Sequence, residues 1–486
     1  MEELPDSITS LCNLQTLDIN HCRLKSLPES VTSLKKLRFL DVSHNPIEEP
    51  PGFITKLGSL QTLDVNNCMK LKSLPESVKD LDNLKMFDFD DCPLPEELPE
   101  DFGALTQLRY LSLGGTGIKV LPDSCTKLIN LEFVHLFDCE VPKEVSNWTK
   151  VRRFDKYKTE TPMGLGKLVC LEELMYGVRE KLANGTEGVE ELRNLNRLED
   201  LSIMNLQNVK DPTDAKRANM MGKRSLLMLR LCWSWRHVQE ESSSDMMSEQ
   251  KNSCGFQVQV PLQPHSGLRH LEIINFIGSN LPTWMHALPR LKSLILQNCN
   301  GMQQLPAAIG QLQHLTLVEL GGLEQLKSLD IGGFPSSKDL YLSRIPSLED
   351  MCCTSDPCPR FQNLYIEDGR KLAEIHLIPC LKSLRLINIG HQVVNSVGRN
   401  QTSLTSLELK NVNELVYFPV SILQNNRNLG HLSIIGCSKL QGFRVNEDQE
   451  NGNEFTLVSP ELFIGAGSLQ KLVLTNCPVL KFLPDL

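Results

Sequence analysis

Residues 13–22 read NLQTLDINHC and residues 36–45 read KLRFLDVSHN, the same ten-residue phrase with Cys at its end in one copy and Asn in the next. Aligned on the first Leu, the phrase has anchors at Leu14, Leu37, Leu60, Leu84, Leu108 and Leu131, with steps of 23, 23, 24, 24 and 23 residues. A unit of that length cannot bury its own apolar face, so the copies must stack on one another and share a core. Each copy fits LxxLxLxx followed by a small residue: Leu14, Leu17, Ile19, Cys22, then Leu37, Leu40, Val42, Asn45, then Leu60, Leu63, Val65, Cys68. Apolar residues two apart mark a short strand with one face buried.

This pattern resembles the leucine-rich repeat. The expected fold is therefore an α/β solenoid, a horseshoe with a parallel β-sheet on its concave face and short helices, turns and loops on its convex face. After each strand the chain turns outward, and the buried backbone groups of the turn need partners. An Asn side chain supplies both donor and acceptor, while Cys is small and carries a weak S–H donor. Cys22, Cys68, Cys92, Cys139, Cys299, Cys437 and Cys477 all occupy this slot, which gives them a structural reading. Between strands LPESVTSL recurs as LPDSITSL, LPESVKDL, LPEDFGAL and LPDSCTKL. Pro closes the turn, and Asp or Ser is expected to cap a short helical turn whose apolar residue, such as Val31 or Val78, points inward.

The pattern organises the chain into regular repeats over 1–150, irregular repeats over 151–235, a polar and mobile insertion over 236–266, and irregular repeats over 267–486 with a loop insertion near 443–467. In the last part the anchors are Leu268, Leu291, Leu315, Leu381, Leu404, Leu429 and Leu469.

A net charge of -9 with no basic run makes nucleic acid a poor partner. No run of 18 apolar residues suggests a membrane span and the N-terminus has no secretory pattern, which points to the cytoplasm. There the 16 Cys are expected to be reduced and the sequons at Asn147, Asn184 and Asn400 to be chance matches. Cys352, Cys353 and Cys358 in MCCTSDPCPR lack the spacing of a zinc knuckle and read as a loop. With no HExxH, GxSxG or EF-hand pattern, the chain is read as a non-enzyme without cofactors.

The stretch RLEDLSIMNLQNVKDPTDAKRANMMGKRSLLMLRLCWS from residue 197 is more particular. It resembles a segment of the leucine-rich-repeat regions of plant intracellular nucleotide-binding immune receptors of the coiled-coil class. The positions that carry the resemblance are Leu201, Ile203, Leu206, Asn208, Val209, Ala215, Ala218, Lys223, Leu229, Leu231 and Trp233. Locally, Asp211 can cap a helix that has Pro212 first, with Ala215 and Ala218 on one face. Such receptors carry a nucleotide-binding module ahead of the repeats. Gly166-Lys167 is the nearest approach to a P-loop here, with Thr161 and Leu168 where Gly and a hydroxyl belong, so no ATP binding is expected. The resemblance implies recognition of a pathogen effector or an effector-modified host protein, and contact with a nucleotide-binding module in cis or in trans. The regular first 150 residues resemble a free-standing intracellular repeat scaffold of the Ras-signalling type equally well. The start MEELPDSITSL shows no evident cap and KFLPDL follows a strand directly, which leads to the expectation of either a truncated receptor or a gene product that docks onto a partner at its N-terminal end.

Strand residues between the buried positions form columns. One reads Asp18, Asp41, Asp64, Asp88, Ser112, His135; a second Thr16, Phe39, Thr62, Met86, Tyr110, Phe133; a third Asn20, Ser43, Asn66, Asp90, Gly114, Phe137, with Asp91 beside it. The aspartates are either ordinary strand residues of this repeat or an acidic ladder that steers a basic partner. Phe39, Tyr110, Phe133 and Phe137 are either protein-binding anchors or surface covered by a loop or a neighbouring domain. The candidate protein-binding residues are Asp18, Phe39, Asp41, Asp64, Met86, Asp88, Asp90, Asp91, Tyr110, Phe133, His135 and Phe137.

Overall fold

A computed structural model describes residues 4–48, 52–137, 139–142, 145–157, 164–179, 188–209, 211–233, 262–305, 309–310, 312–353, 360–444 and 468–481. The expected insertions at 236–266 and 443–467 lie almost entirely outside the described residues, as does Cys358. The chain forms two compact units, Met1–Leu226 and Leu227–Leu486.

Unit 1 is built on β1 (Thr16–Asp18), β2 (Phe39–Asp41), β3 (Thr62–Asp64), β4 (Met86–Asp88), β5 (Tyr110–Ser112), β6 (Phe133–Phe137), β7 (Arg153–Tyr157), β8 (Glu173–Gly177) and β9 (Asp200–Met204). Neighbours pair in parallel, so equivalent residues of successive repeats stand side by side. The central Leu of each early strand is buried: Leu17, Leu40 and Leu63 are 9%, 0% and 3% exposed. Single 3-10 turns such as Glu29–Ser33 and Glu76–Asp80 return the chain and bury Val31 and Val78. They differ from expectation in one respect. Pro28 and Pro75 themselves occupy the cap positions, so the acidic residue that follows lies inside the turn and makes no side-chain cap.

One Asp per strand sets the length of β1 to β4. The Oδ1 of Asp41 accepts the N–H of Ser43 at 2.9 Å, Asp64 that of Asn66 at 3.0 Å, and Asp88 that of Asp90 at 3.2 Å. These N–H groups would otherwise extend the ladder to the preceding strand. The carbonyls left behind are taken by the Asn/Cys slot: Asn45 Nδ2 donates to Ile19 O at 2.9 Å, Cys68 Sγ to Val42 O at 3.4 Å and Cys92 Sγ to Val65 O at 3.2 Å. Asn45 also accepts from Leu24 N and donates to Val42 O and Ser43 O. Asn and Cys therefore alternate at this slot because both can feed the same orphaned carbonyl.

The residue before the slot adopts left-handed φ: His21, His44, Asn67, Asp91, Gly115 and Asn205 in unit 1, and Asn275, Asn298, Gly322, Arg344, Asp368, Asn388, Asn411, Gly436 and Asn476 in unit 2, Arg344 being the one long side chain among them. Asn, Asp, His and Gly tolerate that conformation best. At Gly115 a Cβ would also come within 2.3 Å of Asp91 Oδ1.

Helix α1 (Pro212–Arg217) starts as expected, with Asp211 Oδ1 accepting Thr213 N at 2.8 Å and Ala215 fully buried. Asp214 reaches back one repeat and accepts Val189 N and Glu190 N, holding the start of the 3-10 turn Val189–Asn194. Lys223 is fully buried and its Nζ donates to the carbonyls of Leu192 and Leu195, which end that turn. Burial lowers its pKa to about 8.

Unit 2 carries β10 (Met228–Cys232), β11 (His270–Ile274), β12 (Ser293–Gln297), β13 (Leu317–Gly321), β14 (Ser328–Asp330), β15 (Asp339–Ser343), β16 (Asp350–Cys352), β17 (Asn363–Glu367), β18 (Ser383–Ile387), β19 (Ser406–Lys410), β20 (Tyr417–Pro419), β21 (His431–Ile435), β22 (Gly442–Arg444) and β23 (Lys471–Thr475). Two separate parallel pairs, β14 with β16 and β20 with β22, accompany the main sheet. Main-sheet strands here have five residues, and none has Asp at its middle position. Ile295 stands there in β12, for example, and the register runs on to pair Ile274 with Gln297. Helices α2 (His391–Asn400) and α3 (Ser421–Asn425) pack beside each other in the later repeats. Two anchors of this unit carry no Leu: Phe361, and Ser337, which is fully buried with its Oγ donating to Leu315 O at 3.1 Å.

Candidate protein-recognition face

The register in unit 1 assembles the expected columns. Thr16, Phe39, Thr62, Met86, Tyr110 and Phe133 stand in line, and beside them Asp18, Asp41, Asp64, Asp88, Ser112 and His135, continued by Asp155. Asp90 belongs to the third column, its carbonyl accepting Asn67 N. Asp91 does not lie on the sheet face. It sits exposed in the outward turn with φ 52°, because the turn needs a left-handed residue at that point.

The aspartates are less open than an outward-facing column suggests. Asp18 is exposed and Asp64 half-buried, but Asp41 and Asp88 are only 9% and 8% exposed. Asn20 Nδ2 donates to Asp41 Oδ2 at 3.3 Å, and the Tyr110 hydroxyl to Asp88 Oδ2 at 3.4 Å. Each carboxylate therefore has one oxygen closing its own turn and a second turned toward the face. Burial raises the pKa of Asp64 and takes that of Asp88 up to about 6, only partly offset by the N–H groups that they accept. Burial and then the Asp88 charge push Tyr110 up to about 12.

The aromatic column is likewise half-buried. Tyr110 and Phe133 stack at 4.4 Å with rings 2° from parallel, and the Arg153 guanidinium lies 5.8 Å over Phe133. Phe39 and Met86 are half-buried. Phe137 ends β6 opposite Tyr157, and its side chain is outside the described residues.

Asp90, Ser112 and His135 form a polar clamp across three repeats. Ser112 Oγ donates to Asp90 Oδ1 at 2.7 Å, Gly114 N donates to the same oxygen at 2.5 Å, and His135 Nδ1 lies 3.1 Å from Asp90 Oδ2. The hydrogen bond to Asp90 raises the His135 pKa. The three residue types are those of a hydrolytic triad, but the arrangement is not. A triad needs the hydroxyl and the carboxylate on opposite ring nitrogens, whereas here Ser112 Oγ lies 3.0 Å from the same Nδ1 that faces Asp90. Ser112 is also fully buried. Sequence reasoning placed Ser112 and His135 in one column and Asp90 in the next; the three meet because Asp90 leans across to the neighbouring column of the following repeats.

The face of unit 2 is built on other terms. In its middle column Arg230 Nε lies 2.5 Å from Glu272 Oε2, and Arg385 lies 2.8 Å from Glu408 and 5.6 Å over the Tyr365 ring. Gln297 donates to Glu319 at 3.0 Å. No short motif marks these pairs; they appear only when strands are set in register.

Parallel ladders with an Asn/Cys slot and a left-handed turn define a leucine-rich-repeat protein. Residues 189–323 match the family described as R13L1/DRL21 leucine-rich repeats, and residues 1–85 match a leucine-rich-repeat region family. The chain is 35% identical over 164 residues to the candidate disease resistance protein RGA1 of Solanum bulbocastanum, covering 33% of this chain and 15% of that protein. It is 30% identical over 159 residues to the disease resistance protein RGA2 of the same species, covering 32% of this chain and 15% of that one. The match thus spans a small part of the length of either relative. Among solved structures, the functional domain of InlJ from Listeria monocytogenes is similar at 13% identity with a TM-score of 0.45, covering 88% of this chain and 74% of that one. The repeats are therefore leucine-rich repeats of the kind carried by plant disease resistance proteins. Among the described residues no helix is long and apolar enough to cross a membrane.

Proposed function

We propose that the chain is a protein-recognition region acting in plant defence, whose unit 1 face engages a pathogen effector or an effector-modified host protein. A contact with a nucleotide-binding module, in cis or in trans, belongs to the same reading and draws on the resemblance to resistance proteins. The observation that carries the reading is the column Asp41, Asp64, Asp88. Its carboxylates are drawn out of water beside one another, and among the described residues no Lys or Arg forms an ion pair with Asp41, Asp64 or Asp88. Turn closure explains one oxygen of each Asp and would be met equally well by Asn; it does not explain retention of the charge. A basic protein surface that reaches the column would relieve that cost, with the Tyr110–Phe133 stack as an apolar contact beside it.

The test is capture of an effector or host protein by the full chain, followed by Asp64→Asn and Asp88→Asn, which keep the turn bonds and remove the charge. Binding should weaken about tenfold per pair of charges and lose much of its salt dependence. Equal affinity and equal salt slope in the double variant would refute the acidic column as the recognition element.

A further inference from the structure

The six residues that precede β11, β12, β13, β15, β17 and β18 of the unit 2 sheet form a row of their own. Lys292 N donates to Arg269 O, Thr316 N to Lys292 O, Lys338 N to Thr316 O, Gln362 N to Lys338 O, and Lys382 N to Gln362 O. Four of the six side chains in this row are cationic, namely Arg269, Lys292, Lys338 and Lys382, and all four are exposed. Arg290 and Arg360, two residues upstream of Lys292 and Gln362, are exposed beside them. None of these six cations has a carboxylate partner among the described residues. In the strand-entry positions alongside, the carboxylate present is Asp339, which accepts Asn363 Nδ2 at 2.5 Å. In the corresponding row of unit 1 the later members pair internally, Arg109 with Glu132 at 3.4 Å and Arg152 with Glu172 at 2.8 Å, while Lys85 donates to Gln61 at 3.2 Å.

We infer that this rim of unit 2 is a second interaction surface, one that binds an acidic polypeptide segment in extended form. From Arg269 to Lys382 the row crosses five strand spacings, roughly 24 Å at about 4.8 Å each, the length of an extended segment of about seven residues. The intervening side chains, Thr316 and Gln362, are small or polar and can hydrogen-bond a peptide backbone. No aromatic side chain interleaves with the cations in this row, as stacking on bases would require, and the chain carries a net charge of -9. A protein anion is thus the better fit than a nucleic acid. The inference does not depend on the reading of the unit 1 face.

The experiment is fluorescence anisotropy of the full chain with a labelled short Glu-rich peptide, against a Gln-rich peptide of equal length and a short oligothymidine. The Glu-rich peptide should bind with an affinity that falls as salt rises, and the Gln-rich peptide should not bind. The double variant Lys292→Glu with Lys338→Glu should lose about tenfold or more, and Lys292→Arg with Lys338→Arg should bind like the wild type, which separates lost charge from lost folding. Asp64→Asn with Asp88→Asn should leave peptide binding unchanged. Wild-type peptide affinity in the Glu variant would overturn the assignment to this row, and oligothymidine bound as tightly as the peptide would overturn the assignment to a polypeptide.

Discussion

The two units solve one electrostatic problem in opposite ways. In unit 1 the sheet face carries acids stacked on acids from β1 to β4, and the row before its later strands pairs Arg109 with Glu132 and Arg152 with Glu172; in unit 2 the face pairs Arg230 with Glu272 and Arg385 with Glu408, while the row before β11 to β18 keeps four cations unpaired among the described residues. Parallel register puts equivalent residues about 4.8 Å apart, so a repeated residue always meets its own kind. A repeat protein avoids self-repulsion by varying the residue from copy to copy. Where it keeps a like-charged column, as at Asp41, Asp64 and Asp88, the fold alone supplies no reason for the charge.

The largest test of this contrast lies in the backbone. In unit 1 the Asp takes the ladder N–H, so the slot residue must serve the freed carbonyl. Asn45→Ala removes the acceptor of Leu24 N and the two N–H groups shared among Ile19 O, Val42 O and Ser43 O, and should cost about 3 kcal/mol, at about 1 kcal/mol for each of three bonding groups. Chemical denaturation of the full chain reads it as a shift in the midpoint of unit 1 unfolding. A loss under about 1 kcal/mol would mean that the Asp and the slot are not coupled.

Next in size is the charge at Asp88. Its pKa rises from 3.8 to about 6 on burial, so the folded state holds a proton that the unfolded state has released over that interval. Stability from this group is therefore highest below pH 4 and falls as pH rises to about 6. Asp88→Asn keeps the acceptor for Asp90 N and should raise stability at pH 7 by about 2 to 3 kcal/mol, with no gain below pH 4. His135 acts in the same direction. Asp90 holds its pKa above the unfolded value, so its contribution is complete below about pH 6.5 and is lost as pH climbs through the folded value. Asp88→Ala, which gives up the turn bond as well, should recover less. A stability gain that does not vary with pH would separate the acidic column from any cost of its charge.

In unit 2 the complementary change is Arg385→Glu, which faces Glu408 with a like charge and removes the cation from the Tyr365 ring. Both side chains are partly exposed, so the loss should be about 1 kcal/mol and should shrink in high salt. Thermal melts at low and high ionic strength measure it, and a salt-independent loss would point to packing instead.

How much of this was open to reading from the chain depends on which residues carry it. The anchors Leu14 to Leu131, the three columns and the Asp211–Pro212 helix start were legible because each rests on local spacing. Ser337 and Phe361 hid two repeats, since neither matches the Leu at its anchor and only burial reveals them. The left-handed residue before the slot had a visible signal that went unused: His21, His44, Asn67, Asp91 and Gly115 are the residue types that accept positive φ. That signal would have placed Asp91 in the turn. The Asp90–Ser112–His135 clamp and the burial of Asp88 depend on side chains from neighbouring repeats leaning across columns, which no single repeat encodes.

The smallest effect separates the two units at a residue that they share. Cys92 and Cys299 occupy the same slot, both buried, both raised by burial to about 12 and so held as thiols. Cys92 Sγ lies 3.2 Å from Val65 O, whose ladder partner has been taken by Asp88, while Cys299 Sγ lies 3.6 Å from Ile273 O in a strand whose register continues to Gln297. Removing the sulfur from Cys299 therefore deletes a small apolar volume, but removing it from Cys92 also strands a carbonyl. Cys299→Ala should cost about 1 kcal/mol, and Cys92→Ala about 1 kcal/mol more. Cys92→Asn, which can feed the same carbonyl as Asn45 does, should restore that difference, and equal losses at the two sites would show that unit 1 does not lean on its thiols more than unit 2 does.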